Sequence, residues 1–326
     1  MLLKNKNILI GVTASIAIYK SLELIRLYIK AGANVKVIMT ESAKKFIAPI
    51  TFEAISQNKV LDEGSESWDK NSDYNHIDIG KWADVFVIAP ATANTINKFA
   101  NGIADNLLTQ TVLAYPNIKL LAPAANTNMI KNSITQESLS KLKNHGFEII
   151  SSVVKELACK DVGDGAMAEP EDIFYVTARE LLKDEYWTNR KAILSGGGTV
   201  EKIDDVRYIS NFSSGKMASS IALSLYLKGA DVSLVSSRGY ESLPKDIYVI
   251  PSLSSSEMYE NLVDSIRIAK KDSKRKPYLF MVAAISDYLP TTSQKGKLKK
   301  DMIGTAWKLN LQQNIDILSS LDKEGI

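Results

Sequence analysis

The stretch Asn7-Ile8-Leu9-Ile10-Gly11-Val12-Thr13-Ala14-Ser15-Ile16-Ala17 decides the fold, because an apolar run gives way at once to small and hydroxylated residues and then to a helical pattern. Residues 7–11 predict a buried β-strand, residues 15–31 a helix with apolar side chains at helical spacing, and residues 34–39 a second strand. A β-α-β opening of this kind puts the first turn at the carboxyl edge of a parallel sheet, where backbone N–H groups and a helix N-terminus converge. Strand-like runs recur at residues 85–89, 119–122 and 148–151, each separated by a plausible crossover helix, which predicts a doubly wound parallel sheet. After residues 185–191 the same opening restarts, with a strand at 192–195, the turn Gly196-Gly197-Gly198-Thr199, a helix at 216–228 and a strand at 231–235. The chain is therefore expected to be α/β throughout, as two tandem Rossmann-like domains at residues 1–188 and 189–326. The second is expected to be incomplete: a strand at 278–283, a basic loop, a short strand at 307–309 and a helical fragment to Ile326 leave no room for further β-α units.

At 326 residues the chain is long enough for a core in each of two domains. Its 40 Lys and Arg against 37 Asp and Glu leave a net charge of +3, too balanced for a field that would bind nucleic acid or a membrane surface, so any anion recognition must be local. A single cysteine excludes an intrachain disulfide framework, and His76 and His145 are too few for a zinc set. A reducing cytoplasm is the expected setting. Met1 to Gly11 is a basic stub and a short strand, with no apolar run long enough for a signal peptide or a membrane span, which predicts a soluble protein.

The first turn offers Gly11, Thr13, Ala14 and Ser15 as a phosphate cradle. It is not G-x-G-x-x-G, since Thr13 and Ile16 or Ala17 replace the later glycines, so a mononucleotide fits better than a dinucleotide; a plain tight turn with a serine helix cap fits the motif equally well. Thr40 and Ser42 add hydroxyls at the end of the second strand. Further on, His76-Ile77-Asp78, Ala89-Pro90-Ala91-Thr92-Ala93-Asn94-Thr95 and Asn101-Gly102-Ile103-Ala104-Asp105-Asn106 pack small and polar residues around a hydrophobic strand. Such density suits a flat ligand with many hydrogen-bonding edges. His76 taken alone reads as a surface or capping histidine. Cys159 lies in Leu157-Ala158-Cys159-Lys160-Asp161-Val162-Gly163-Asp164-Gly165-Ala166, a small-residue segment that reads as a mobile loop carrying a thiol. In the second domain, Ser213-Ser214-Gly215-Lys216 opens a helix and can cradle phosphate without Walker spacing. Asp287 follows a strand, and Lys297-Leu298-Lys299-Lys300 is a basic loop of the kind that is usually a solvated face.

Together with Pro123-Ala124-Ala125-Asn126-Thr127-Asn128-Met129, these motifs resemble the flavin-containing cysteine decarboxylases, and residues 190–300 resemble the ligase fused to that domain in bacteria. Over essentially its whole length the chain is similar to the bifunctional phosphopantothenoylcysteine decarboxylase/phosphopantothenate-cysteine ligase family of coenzyme A biosynthesis. The resemblance implies a flavodoxin-like flavoprotein domain with FMN across the sheet's carboxyl edge. The phosphate would lie on the Gly11–Ser15 turn and the ring near Thr92, Asn94, Asp105 and Asn106, with Thr40 and Ser42 counted among the cofactor-binding residues. It also implies that His76 handles a proton or orients the substrate, that Asn126 holds the substrate carboxylate, and that Cys159 protonates the enethiol formed on loss of carbon dioxide. In the second domain it implies CTP and Mg2+, with an acyl cytidylate attacked by cysteine; Lys297 and Asn211 would serve that chemistry, Asp287 the nucleotide or metal, and Arg207 would lie where subunits meet.

Two departures stand beside the asparagine: Ala125 and Ile130 occupy positions where the family carries methionine and tryptophan. Family ligases also continue into a Phe-Ala-Ala-Glu-Thr-like strand end and a Lys-x-x-Asp-like motif, which this sequence does not contain; the expectation is a decarboxylase joined to a ligase half short of part of its nucleotide site. The substrates are small molecules, and a homo-oligomer is expected, trimeric through the flavin domain and dodecameric where a ligase dimer forms. The alternative is a flavin-binding regulatory subunit of the same fold, but such proteins are expected to lose the histidine or the flap cysteine, and His76, Asn126 and Cys159 are all present.

Overall fold

Strands and helices alternate along most of the chain in a computed structural model that describes residues 1–67, 75–156, 162–240, 242–299, 301, 304–322 and 324–326. Two units emerge, Met1–Leu181 and Leu182–Ile326. In the first, β1 (Asn7–Val12), α1 (Ile18–Lys30), β2 (Asn34–Met39), α2 (Pro49–Ser56) and β3 (Val60–Leu61) lead to α3 (His76–Trp82) and β4 (Val85–Ala91). Then come α4 (Ala93–Ala100), α5 (Leu107–Ala114), β5 (Lys119–Pro123), α6 (Thr127–Lys131), α7 (Ser133–Asn144) and β6 (Phe147–Ile149). The hairpin β7 (Val153–Glu156) and β8 (Val162–Ala166) precedes α8 (Pro170–Leu182).

The six-stranded sheet runs β3-β2-β1-β4-β5-β6, and every pairing in it is parallel. With the two-residue edge strand β3 set aside, this is the order of flavodoxin-like sheets; with it, the order of doubly wound dinucleotide folds. Either way the winding reverses between β1 and β4, which leaves a crevice beyond their carboxyl ends. Ile8, Leu9, Ile10 and the whole run Val85–Ile88 are fully buried, as a sheet covered by helices on both faces requires. Each such side chain contributes roughly 1.5–3 kcal/mol on burial. α1 turns Ile18, Leu24, Ile25 and Tyr28 inward at helical spacing.

Gly11 lies within β1, as expected: a Cβ there would sit 2.6 Å from Leu108 Cδ1 and 3.3 Å from the Phe86 ring, so the missing side chain makes room for core packing. The helix expected from residue 15 begins at Ile18, because Ser15 turns its hydroxyl onto the N–H of Ala17 and its carbonyl onto that of Ile18. The segment expected to be a mobile loop around the cysteine is flanked by β7 and β8, an antiparallel pair. Residues 157–161, Cys159 among them, lie outside the described residues.

The second unit continues with α9 (Glu185–Thr188), β9 (Arg190–Gly196), β10 (Val200–Lys202), β11 (Tyr208–Ser210), α10 (Lys216–Leu227), β12 (Asp231–Ser236) and β13 (Tyr248–Pro251). It closes with α11 (Ser255–Lys271), β14 (Lys276–Met281), β15 (Tyr288–Pro290), β16 (Leu311–Gln313) and α12 (Ile317–Ser320). β13-β12-β9-β14 form a parallel sheet, and β10–β11 and β15–β16 are antiparallel ribbons. Residues 307–309 form no strand: the partner of β15 is β16, paired from Pro290↔Leu311 to Tyr288↔Gln313. Trp307 instead lies beside the Arg207 guanidinium, 5.5 Å from its ring centre.

Candidate functional site

A cleft of about 420 Å³ opens at the β1/β4 crevice, within the usual range of small-ligand sites. Thr13, Ala14, Ser15, Thr40, Ser42, Thr92, Asn94 and Asn106 all line it, so eight of the residues singled out from four separate stretches of sequence meet in one place. Its organising contact is the Thr13 hydroxyl, 1 % exposed, which donates to Pro90 O at 2.7 Å and accepts from Thr92 N at 3.1 Å. Ser21 adds a second tie, donating to Ala89 O at 2.7 Å. These bonds hold the first turn against the end of β4 and satisfy backbone groups that the diverging strands leave unpaired.

Several site residues turn out to be helix N-caps. Thr92 caps α4, Asn106 caps α5 in a capping box with Thr109, and Asn126 caps α6, its Oδ1 accepting from Asn128 N at 2.9 Å. That oxygen therefore serves the helix. Ala125 is part of the cleft wall, so the departure at this position falls on the ligand side; Ile130 is 4 % exposed and fills core space.

Lys98 was missed by the sequence reading, although it lies one turn after Asn94 on α4 and so shares its face. It lines the cleft and donates to Asp105 Oδ2 at 2.6 Å. Asp105 itself stands outside the cleft lining, and the Lys98 hydrogen bond holds its carboxyl below the ordinary range. His76 does not line the cleft. It is the first residue of α3, behind the Asn75 cap, and its Nδ1 is 2.9 Å from Glu66 Oε1. A carboxylate can only accept, so with Glu66 ionised Nδ1 is the donor of this pair. Nothing in the sequence announced Glu66.

In the second unit a groove of about 600 Å³ runs past Asp287, Ser286, Asn314 and Ile317. The segment that forms its wall is pinned by polar side chains. Ser195 Oγ accepts from Val282 N and Ala283 N at 3.0 and 3.1 Å, Thr199 Oγ1 from Ser286 N at 3.1 Å, and Asn211 Nδ2 donates to Ile285 O at 3.0 Å. Asn211 thus braces the strand-end loop that leads to Asp287. Lys297 is exposed, and its loop is held by Asp204, whose Oδ2 accepts from Leu298 N at 3.1 Å and whose Oδ1 accepts from Val206 N and Arg207 N. Burial works against the Asp204 charge, but these backbone donors outweigh it and hold the carboxyl below its ordinary value. Arg207 is turned into its own chain, onto Asp204 Oδ2 at 3.3 Å and Leu298 O at 3.1 Å.

With this geometry in hand, residues 2–182 match the Flavoprotein family and residues 187–325 the DNA/pantothenate metabolism flavoprotein C-terminal domain. The coenzyme A biosynthesis bifunctional protein CoaBC of Haemophilus influenzae is 38 % identical over 98 % of this chain and 78 % of its own length. The chain belongs to the CoaBC family. The Bacillus subtilis CoaBC protein is 36 % identical over 99 % of this chain and 78 % of its own. Among solved structures, a cysteine-to-serine mutant of PPC decarboxylase complexed with pantothenoylaminoethenethiol superimposes with a TM-score of 0.50 at 34 % identity, covering 53 % of this chain and 97 % of that one. The resemblance read from the motifs is thereby borne out, as is a Rossmann-like α/β flavoprotein fold for the first unit. No helix among the described residues is long and apolar enough to cross a membrane.

Thr13→Val should leave Pro90 O and Thr92 N unpaired, lowering stability by about 1–3 kcal/mol in urea denaturation and reducing the flavin content of the purified protein. Asp204 has a folded pKa below its ordinary 3.8, so its contribution is complete above that pH and is lost as pH falls through the folded value. Asp204→Asn should therefore lower the urea midpoint at neutral pH, with the gap to the unmodified chain closing below pH ~3.8.

Proposed function

We propose that the first unit is an FMN-dependent decarboxylase of 4'-phosphopantothenoylcysteine, and that the second ligates 4'-phosphopantothenate with cysteine using CTP. The observation that carries the first reading is the hydroxyl-lined cleft at the β1/β4 crevice with the Asn126 turn at its rim. The hydroxyls of Ser15, Thr40 and Ser42 and the backbone N–H groups of the first turn fit the phosphate end, since they supply donors without a fixed cation, while the Thr13 hydroxyl already donates to Pro90 O. Thr92, Asn94 and Asn106 fit the edges of a flat ring, and Ala124 and Ala125 leave room for its face. FMN bound there would supply the reversible two-electron oxidation that makes the cysteinyl carboxylate a good leaving group.

The chain's own groups do the rest. The Asn126 amide donates to the substrate carboxylate; a neutral donor orients that group without stabilising its charge so strongly that carbon dioxide is harder to lose. His76, with its ring held by Glu66, takes up or relays a proton at Nε2. Cys159 supplies the proton that completes the aminoethanethiol product.

In the second unit CTP and phosphopantothenate would form an acyl cytidylate and pyrophosphate, and the cysteine amine would displace CMP to form the amide. Lys297 would neutralise the reacting phosphate, Asn211 would hold the acyl cytidylate, and Asp287 would bind the nucleotide or its Mg2+. Val206, Tyr208 and Phe212 are exposed on and beside the β10–β11 ribbon, which supports a ligase-type dimer; a trimer through the flavin unit completes the proposed homo-oligomer, a dodecamer in the cytoplasm.

Given phosphopantothenoylcysteine directly, the flavin-loaded chain should release carbon dioxide and form phosphopantetheine, read by mass spectrometry. His76→Asn should keep its flavin and lose that release by at least about 100-fold. Flavin-loaded protein that forms no product from this substrate would overturn the decarboxylase reading.

A further inference from the structure

We infer that Gly163 and Gly165 are positioning residues that set the direction of the Asn126 side chain. β8 crosses the turn at residues 125–127 so closely that a Cβ on Gly163 would overlap Thr127 Oγ1, and a Cβ on Gly165 would overlap the carbonyl oxygen of Ala125. Both lie inside the distance at which real Cβ atoms are found. The crossing is also bonded, since Ala125 N donates to Gly165 O at 3.0 Å. Thr127 Oγ1 is buried with no hydrogen-bond partner among the described residues, facing Gly163. A buried unpaired hydroxyl is costly, and this one lies directly against the backbone of Gly163.

The rest of the hairpin keeps β8 in place. Its register with β7 shifts between Val153 and Val154, leaving Gly165 as the extra residue at a φ of +148°, a conformation few other residues adopt. Asp164, between the two glycines, accepts from Ser152 Oγ at 2.7 Å on the neighbouring segment. Beyond β8, Lys20 of α1 reaches Met167 O at 3.1 Å and Glu169 at 3.2 Å. The strand is tied on either side of the crossing, so the 125–127 turn is pressed between a fixed strand and the end of β5. The orientation of Asn126 is then a property of β8 as much as of its own helix.

This inference rests on the reading in which Asn126 orients the substrate carboxylate. The experiment measures the dissociation constant of phosphopantothenoylcysteine from perturbation of the bound flavin's absorbance, alongside turnover, in flavin-loaded full-length chains. Gly163→Ala should weaken binding about tenfold, or about 1.4 kcal/mol, with flavin content and unfolding midpoint little changed. Adding Thr127→Ala removes the overlapping Oγ1 and leaves Thr127 Cβ at 3.1 Å from the new methyl, so the double variant should return to within about twofold of Thr127→Ala alone, which itself should bind like the unmodified chain. Unchanged affinity in Gly163→Ala, or a loss that Thr127→Ala does not restore, would overturn the inference. Should Gly163→Ala fail to fold, the double variant against Thr127→Ala decides: equal affinities support it and a tenfold gap contradicts it. An unmodified chain that binds the substrate without decarboxylating it would contradict the functional reading while the affinities still judge the glycines; one that does not bind it overturns both.

Discussion

The hydroxyl of Thr13, donating to Pro90 O and accepting from Thr92 N, is the contact on which the candidate site depends. Where a doubly wound sheet reverses direction, adjacent strands send their crossover helices to opposite faces, and the backbone beyond the strand ends loses its ladder partners. In this chain one buried side chain supplies both a donor and an acceptor across that gap. It fixes the first turn relative to the N-cap of α4, and that cap fixes the face carrying Asn94, Thr95 and Lys98 toward the cleft. A cleft walled by hydroxyls, amides and alanines is the outcome, close enough for backbone to approach a ligand and polar enough to orient one.

The second unit solves the same problem with more residues. Ser195, Thr199, Asn211 and Asn314 each bond to backbone groups between Val282 and Ser286. The strand-end loop leading to Asp287 is thus held by four side chains from separate segments, and the Lys297 loop by the buried carboxylate of Asp204. In both units polar side chains at the carboxyl edge first complete the backbone's hydrogen bonding and only then face a ligand, which is why the likeliest-looking binding residues of the sequence are so often caps and braces.

Much of the fold was legible because buried parallel strands leave continuous apolar runs: Ile8–Ile10, Val85–Ile88 and Ala192–Leu194 stand out from their surroundings, and each is followed by a turn rich in small residues. What escaped depends on partners distant in sequence or on alternatives of similar local energy. The short exposed ribbon β15–β16 has no apolar alternation to reveal it, so the strand expected at residues 307–309 was found a few residues later, at β16. The start of α1 moved to Ile18 because Ser15 bonds locally instead of capping. Gly11 was legible as a small residue at a strand end, whereas its close packing against Leu108, nearly a hundred residues away, needed the folded chain. The convergence of Thr13, Thr40, Thr92 and Asn106 was legible from motif order, whereas Glu66 beside His76 and Lys98 beside Asp105 needed the folded chain.

The most direct measurement is amide hydrogen exchange on the full chain with and without FMN. Flavin held at the β1/β4 crevice should slow exchange in peptides covering residues 12–18, 40–44, 92–98 and 105–110, with residues 190–326 unchanged. Protection confined to the second unit, or absent from the first turn and the start of α4, would contradict the placement of the cofactor site.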